Sequence, residues 1–402
     1  MKYTKHISSF LFVALSLLLL TACGQNSNCS GITFGGGSGG SSGGGLSGPG
    51  GSVCGPGSGN GGGGGSGSST DLLYYLGGGT VIDVASVTST SFANVAGYTP
   101  IAFPNGTQLG LNFGIVSKKF LYVPVTESSG GAVLGYTINR ATAALTPIGS
   151  GSFATSTVSA DIVASDPQGR FLYVVDSQGH IAVFKIDPGT GVLTASGSPM
   201  QLNGASAQIT VDGTGTYLYF NSGSISGSIY GFSIDQTSGA LTALPSSPFN
   251  LQIGSLQADP TGKYLVGVAG FGDPNVYVIP IGVGTGALGV PTGFPAIQAP
   301  DSLALSPTGK VLFTFSVDNL NRPLPIGGFT FDDTTGTITE MTGSPFVNLP
   351  KVNTGLFDQN GGTLLGVTGT SFFVYTIDAT GTPTSPIPSL GTAHDERYAF
   401  TN

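Results

Sequence analysis

Asp166-Pro167-Gln168-Gly169-Arg170-Phe171-Leu172-Tyr173-Val174 is a turn followed by a strand. Asp accepts backbone N–H groups at the first turn position, Pro sets φ at the second and Gly is favoured at the fourth, the signature of a type I turn. Ile181-Ala182-Val183-Phe184-Lys185-Ile186 supplies the next strand, and Asp187…Gly191 forms a hairpin turn before Val192-Leu193-Thr194. The same order returns at Asp259-Pro260-Thr261-Gly262-Lys263-Tyr264-Leu265 and at Ser306-Pro307-Thr308-Gly309-Lys310-Val311-Leu312. Degenerate copies begin at Asp212-Gly213-Thr214-Gly215 and Asp358-Gln359-Asn360-Gly361, while Lys118-Lys119-Phe120-Leu121-Tyr122-Val123 keeps the strand and loses the turn. With that strand as marker, seven copies start near residues 72, 120, 171, 217, 264, 311 and 363, spaced 46 to 52 residues apart.

A unit of four short antiparallel strands cannot bury its faces alone and must stack on its neighbours. Seven such units predict an all-β, seven-bladed β-propeller over residues 71–402, because ring closure protects the edges that an open sheet would expose. An open solenoid needs polar caps, and none is visible. Leu72-Leu73-Tyr74-Tyr75-Leu76 lacks the strand that should precede it, and Arg397-Tyr398-Ala399-Phe400-Thr401-Asn402 is a strand without a blade. The last strand is therefore expected to complete the first blade.

Composition narrows the remaining choices. The 402 residues hold 68 Gly, 25 Pro and no Trp, with 12 basic residues against 20 acidic ones. Glu is rare and β-formers abound, which excludes helical bundles and coiled coils. A net charge of −8 with scattered cations excludes a nucleic-acid partner. Most Asp residues stand at turn positions and are read as turn chemistry.

The N-terminal segment carries an address. Lys2 and Lys5 precede an uncharged stretch, Ile7 to Leu20, giving a signal peptide over residues 1–22. Leu20-Thr21-Ala22-Cys23 resembles a bacterial lipobox, which implies acylation of Cys23 and a membrane as partner; several acyl chains hold a protein stably where one does not. Gly24 in the following position is similar to sorting signals for the outer membrane or cell surface, so the expected location is extracytoplasmic. Residues 23–70 then form the lipidated Cys and its tether, with 22 Gly among the 47 residues from 24 to 70 and no charge. Cys29 and Cys54 lie within it. They either bridge each other, stay unpaired or pair with another molecule, and no His or further Cys nearby suggests a metal.

The Asp-Pro-x-Gly-Arg/Lys-Phe/Tyr-Leu-Tyr-Val unit, the Val-Phe-Lys-Ile-Asp…Gly-x-Leu-Thr strand pair and the blade ends Ser198-Pro199, Ser247-Pro248-Phe249 and Ser344-Pro345-Phe346 resemble the lactonase-type seven-bladed propellers. That group includes bacterial 6-phosphogluconolactonase, the fungal muconate-lactonising cyclase and the related YVTN-repeat surface proteins. The resemblance covers essentially all of residues 71–402, and its residues are scaffold residues. It implies a possible lactone ligand and family enzymes that use His, Arg and Glu near the axis.

Lactone opening needs a base to activate water and donors for the developing oxyanion. His394-Asp395-Glu396-Arg397 sets an acid, a base and a cation just before the closing strand. Asp318-Asn319-Leu320-Asn321-Arg322-Pro323 is a long strand connection of the kind that collects binding groups, with Asp318, Asn319 and Arg322 as candidates. His180 is expected in an exposed hairpin. No cofactor motif appears: the glycine-rich tether lacks a phosphate-loop ending, and Asp332-Asp333 cannot supply a calcium shell. Two functions fit: a lipid-anchored binding or interaction module for an envelope protein or small molecule, and a lactonase acting on a sugar or aryl lactone.

Overall fold

The computed structural model describes residues 71–400 apart from 78–79, 89, 105, 203–205, 223–226, 271, 297, 319, 369–370, 385 and 388–393. Cys23, Cys29 and Cys54 lie outside the described residues, as do residues 1–22, read above as a signal peptide.

Blade 3 shows how the repeat becomes structure. Ile162–Ser165 is the innermost strand, followed outward by Phe171–Val175, His180–Ile186 and Leu193–Ala195, all antiparallel. Blades 2, 4, 5 and 6 repeat the order around innermost strands Gly114–Val116, Ser206–Val211, Ser255–Ala258 and Ser302–Leu305. Blade 7 has three regular strands, Thr354–Phe357, Thr363–Val367 and Phe372–Thr376. Where its fourth strand was expected, isolated bridges pair Ile377 with Pro383 and Val374 with Ile387 among the described residues. Proline has no N–H for a ladder, and Pro383 and Pro386 fall in this stretch.

Blade 1 is assembled from both ends of the domain. Asp71–Gly77, Val81–Val87 and Phe92–Asn94 are its outer strands. His394–Phe400 lies antiparallel to Asp71–Gly77, with Leu73 opposite Phe400, Tyr74 opposite Ala399 and Tyr75 opposite Tyr398. The innermost strands touch in order from blade 1 through blade 7. Across the remaining junction, Leu356, Leu365 and Val374 of blade 7 share a buried cluster with Leu73, Tyr75 and Val84 of blade 1. Phe372 meets Tyr75 and Phe92 edge-on, with ring centroids 5.5 and 6.1 Å apart.

The core is thus a series of layers between blades, which explains why Phe171–Val175 is buried along its whole length. The turn acids hold the strands in place. Asp166 Oδ1 accepts the N–H groups of Arg170 and Phe171 at 2.5 and 2.8 Å, and Asp259 Oδ1 those of Lys263 and Tyr264 at 2.8 and 2.7 Å. In blade 2 the sequence has no such acid; Ser117 and Lys118 instead turn the chain with φ of 51° and 57°.

The Tyr of the repeat bolts each blade to the next. Tyr74, Tyr122, Tyr173 and Tyr219 are fully buried, and their hydroxyls donate to Ala143 O, Gly191 O, Gly239 O and Gly286 O at 2.7, 2.6, 3.4 and 2.7 Å. Each acceptor is in the third-to-fourth turn of the following blade. Gly239 is required there twice over: its φ is 76°, and a Cβ would sit 2.5 Å from the Phe171 ring.

Burial raises the pKa of all four phenols above the ordinary value of 10.0. The fold holds them neutral while the unfolded chain ionises them, so their contribution is complete below pH 10 and is lost as pH climbs beyond it. Thermal stability is expected to decline steeply above about pH 10, with tyrosinate absorbance from these residues appearing only as circular dichroism reports unfolding. Reversible ionisation of every Tyr in a folded chain would contradict this.

Candidate functional site

Each innermost strand leads into a turn and an antiparallel second strand, so all seven run in one sense. Their N-terminal ends share one mouth of the axis, together with the connections between second and third strands. In blades 3, 5, 6 and 7 the residue before the innermost strand donates its N–H to the second strand: Asp161 to Val175 O at 2.9 Å, Gly254 to Val268 O at 2.8 Å, Asp301 to Phe315 O at 2.9 Å and Asn353 to Val367 O at 2.8 Å. At the next register position stand Ile162, Gln208, Ser255, Ser302 and Thr354. The four polar side chains among these are buried.

The inner edge of each innermost strand has no further strand to pair with, and side-chain amides serve instead. Asn112 Oδ1 accepts Val163 N–H at 2.9 Å and its Nδ2 donates to Val163 O at 2.8 Å. Gln208 Oε1 accepts Leu256 N–H at 2.5 Å, and Gln257 Oε1 accepts Leu305 N–H at 2.7 Å. Ser302 Oγ donates to Asn353 O at 3.4 Å in the next blade. Gln208 Nε2, Ser255 Oγ and Thr354 Oγ1 are buried with no protein partner. Buried polar atoms without partners are uncommon, and three at one register position mark this end as the place to look for a ligand.

Two carboxyls join them. Asp161 accepts from Ser159 Oγ at 3.0 Å, and Ser177 Oγ lies 3.1 Å from the same hydroxyl. Burial raises the Asp161 pKa, Ser159 pulls it down less, and the charge of Asp176 pushes it further up. Asp301 accepts Val317 N–H at 2.9 Å, and its pKa is likewise raised by burial. A carboxyl with a raised pKa in a cleft is a candidate acid or base.

Asp318 and Arg322 are brought together, but on each other. Arg322 Nε donates to Asp318 Oδ2 at 2.7 Å and its second nitrogen lies 2.6 Å from the same oxygen. The guanidinium holds the Asp318 pKa down to about 2. Asp318 Oδ1 also accepts Leu320 N–H and Arg322 N–H, so the carboxylate closes its own loop. Asn319 lies outside the described residues. His180 repeats this geometry in blade 3: it begins the third strand, half-exposed, with Nδ1 at 2.9 Å from a fully buried Asp176 Oδ2. It is therefore a braced His in a tight connection, less free than a plain loop residue. His394, Asp395, Glu396 and Arg397 begin the innermost strand of blade 1, which places their backbone at the mouth; their side chains lie outside the described residues. A cavity of about 10 Å³ beside Gln298, Thr314 and Ser316 in blade 6 has room for one water and for no substrate.

Sequence reasoning missed Asp161 and Asp301. A signal was present: each stands five residues before the residue that begins its turn, Asp166 and Ser306, and Gly254 and Asn353 hold the same offset from Asp259 and Asp358.

Fold and mouth together define a seven-bladed β-propeller with an acidic and hydroxyl-bearing axial site. Residues 120–247 match the family model described as lactonase, 7-bladed beta-propeller. A putative 6-phosphogluconolactonase from Bacteroides fragilis superposes with a TM-score of 0.62 at 18% identity, covering 84% of this chain and 99% of that one. The periplasmic gluconolactonase of Pseudomonas aeruginosa gives 0.60 at 16% identity, with 82% and 98% covered. At these identities the likeness is one of fold. No curated protein matches the sequence.

Proposed function

We propose that the chain hydrolyses a sugar-type lactone at the axial mouth, with the acyl groups on Cys23 and the tether of residues 24–70 holding the domain at a membrane. The observation that carries this reading is Asp161: a partly buried carboxyl with a raised pKa, oriented by Ser159, at the mouth of a lactonase-type propeller. Its carboxylate takes a proton from water as the water oxygen bonds to the lactone carbonyl carbon. Collapse of the tetrahedral intermediate breaks the ring C–O bond, and the proton passes from Asp161 to the ring oxygen, leaving a hydroxy acid. Gln208 Nε2, Ser255 Oγ and Thr354 Oγ1 are the donors available to the oxyanion.

One observation favours a second reading, a binding module. Arg322, a cation of the mouth end, is already committed to Asp318. A panel of γ- and δ-lactones of sugars and aryl acids, assayed with full-length protein by acid release, separates the two. Turnover of a sugar lactone above the spontaneous rate is expected. Saturable binding of the panel without acid release would replace hydrolysis with recognition.

A further inference from the structure

The cations of the domain gather at one end, beside most of the turn Asp residues, and acid outnumbers base at the other. Residues 71–402 hold ten basic against twenty acidic residues. Lys118, Lys119, Arg170, Lys263 and Lys310 lie in the turns between first and second strands, and Arg140 lies in a third-to-fourth turn, all at the end opposite the mouth. The mouth end receives Arg322, Lys351 and Arg397. Arg322 is neutralised by Asp318, Arg397 follows Asp395 and Glu396 directly, and Lys351 is an exposed loop residue. Against them this end carries Glu127, Asp161, Asp176, Asp273, Asp301 and Asp318.

From this asymmetry we infer that the site selects an uncharged, polyhydroxylated lactone and rejects its phosphorylated counterpart. The inference rests on the lactonase reading and specifies its substrate class. A phosphate ester needs a cationic clamp, usually bidentate Arg or a Lys beside backbone N–H groups. Here a dianion would approach a face with a surplus of carboxylates, and a like-signed field depresses both encounter and residence. An uncharged sugar lactone avoids that cost, and its hydroxyls match the open hydroxyl and amide groups of Gln208, Ser255 and Thr354.

The test compares kcat/KM for glucono-δ-lactone and 6-phosphoglucono-δ-lactone on full-length protein at low salt. The neutral substrate is expected to lead by at least about 10-fold, with the gap narrowing at 1 M salt, where the Debye length is about 3 Å. Glu127→Lys, which reverses a charge of this end and touches no group assigned to the reaction, should narrow it as well. A phosphorylated substrate turned over equally well or faster overturns the inference and leaves lactone hydrolysis standing. If neither lactone is opened, the hydrolase reading fails, and calorimetric titration with glucitol and glucitol 6-phosphate still decides the preference. Tighter binding of glucitol supports selection of the uncharged ligand, whereas tighter binding of the phosphate, or no binding of either, overturns it.

Discussion

Deletion of residues 394–402 is expected to unfold the whole propeller and not only to fray its end. His394–Phe400 is the innermost strand of blade 1 and lies against Asp71–Gly77. Without it that buried strand loses its inner ladder, and blade 2 loses the neighbour touching its own innermost strand. Leu73, Tyr74 and Leu76, now buried completely, would face water. The expected loss exceeds about 5 kcal/mol, comparable with the entire stability of an ordinary domain, so the truncated chain should be recovered as aggregate or without cooperative melting. Calorimetry of full-length and truncated proteins checks this. A truncated chain melting within about 2 °C of the parent would mean that the ring is held elsewhere.

Asp161→Asn is expected to lower kcat on a sugar lactone by about 10²–10⁴ with little change in KM, the usual cost of losing a general base. The amide keeps the size of the side chain and can still accept from Ser159, so the fold is preserved. Because burial raises the native pKa of Asp161 above its unfolded value, ionisation at neutral pH works against the fold. Its stabilising contribution is present only below the unfolded pKa and fades as pH rises through the native one. The amide variant should therefore melt at the same temperature as the parent or slightly higher at pH 7. In the parent protein the acidic limb of kcat should lie above the ordinary carboxylate range of about 3.9. Full activity in Asp161→Asn, or a lower melting temperature accompanying lost activity, would remove Asp161 from the mechanism.

Turn chemistry made the architecture readable. Asp166, Asp259 and Ser306 recur because each must cap two N–H groups, and Tyr74, Tyr122, Tyr173 and Tyr219 recur because each must reach the following blade. Repetition multiplied these local signals. The mouth was harder to read, because its residues differ from blade to blade: Asp161, Gly254, Asp301 and Asn353 share a backbone role and no side-chain chemistry. Asp318 and Arg322 were legible as polar residues on a long connection, but composition cannot show that they satisfy one another. His180 was underestimated, since its partner Asp176 lies four residues back in what reads as a plain turn.

The buried hydroxyl bolts do not continue around the ring. At the matching position blades 5, 6 and 7 carry Val266, Phe313 and Leu365, which have no phenol to offer. One arc of the molecule is riveted by four buried phenols, while the other is joined by the side-chain bonds from Gln257 to Leu305, Ser302 to Asn353 and Tyr264 to Thr334 together with apolar contact, and gives way at smaller cost. Ser255 and Thr354, with their unsatisfied hydroxyls, sit on the looser arc. A guest that enters along the axis would thus meet its polar partners where the wall yields most readily.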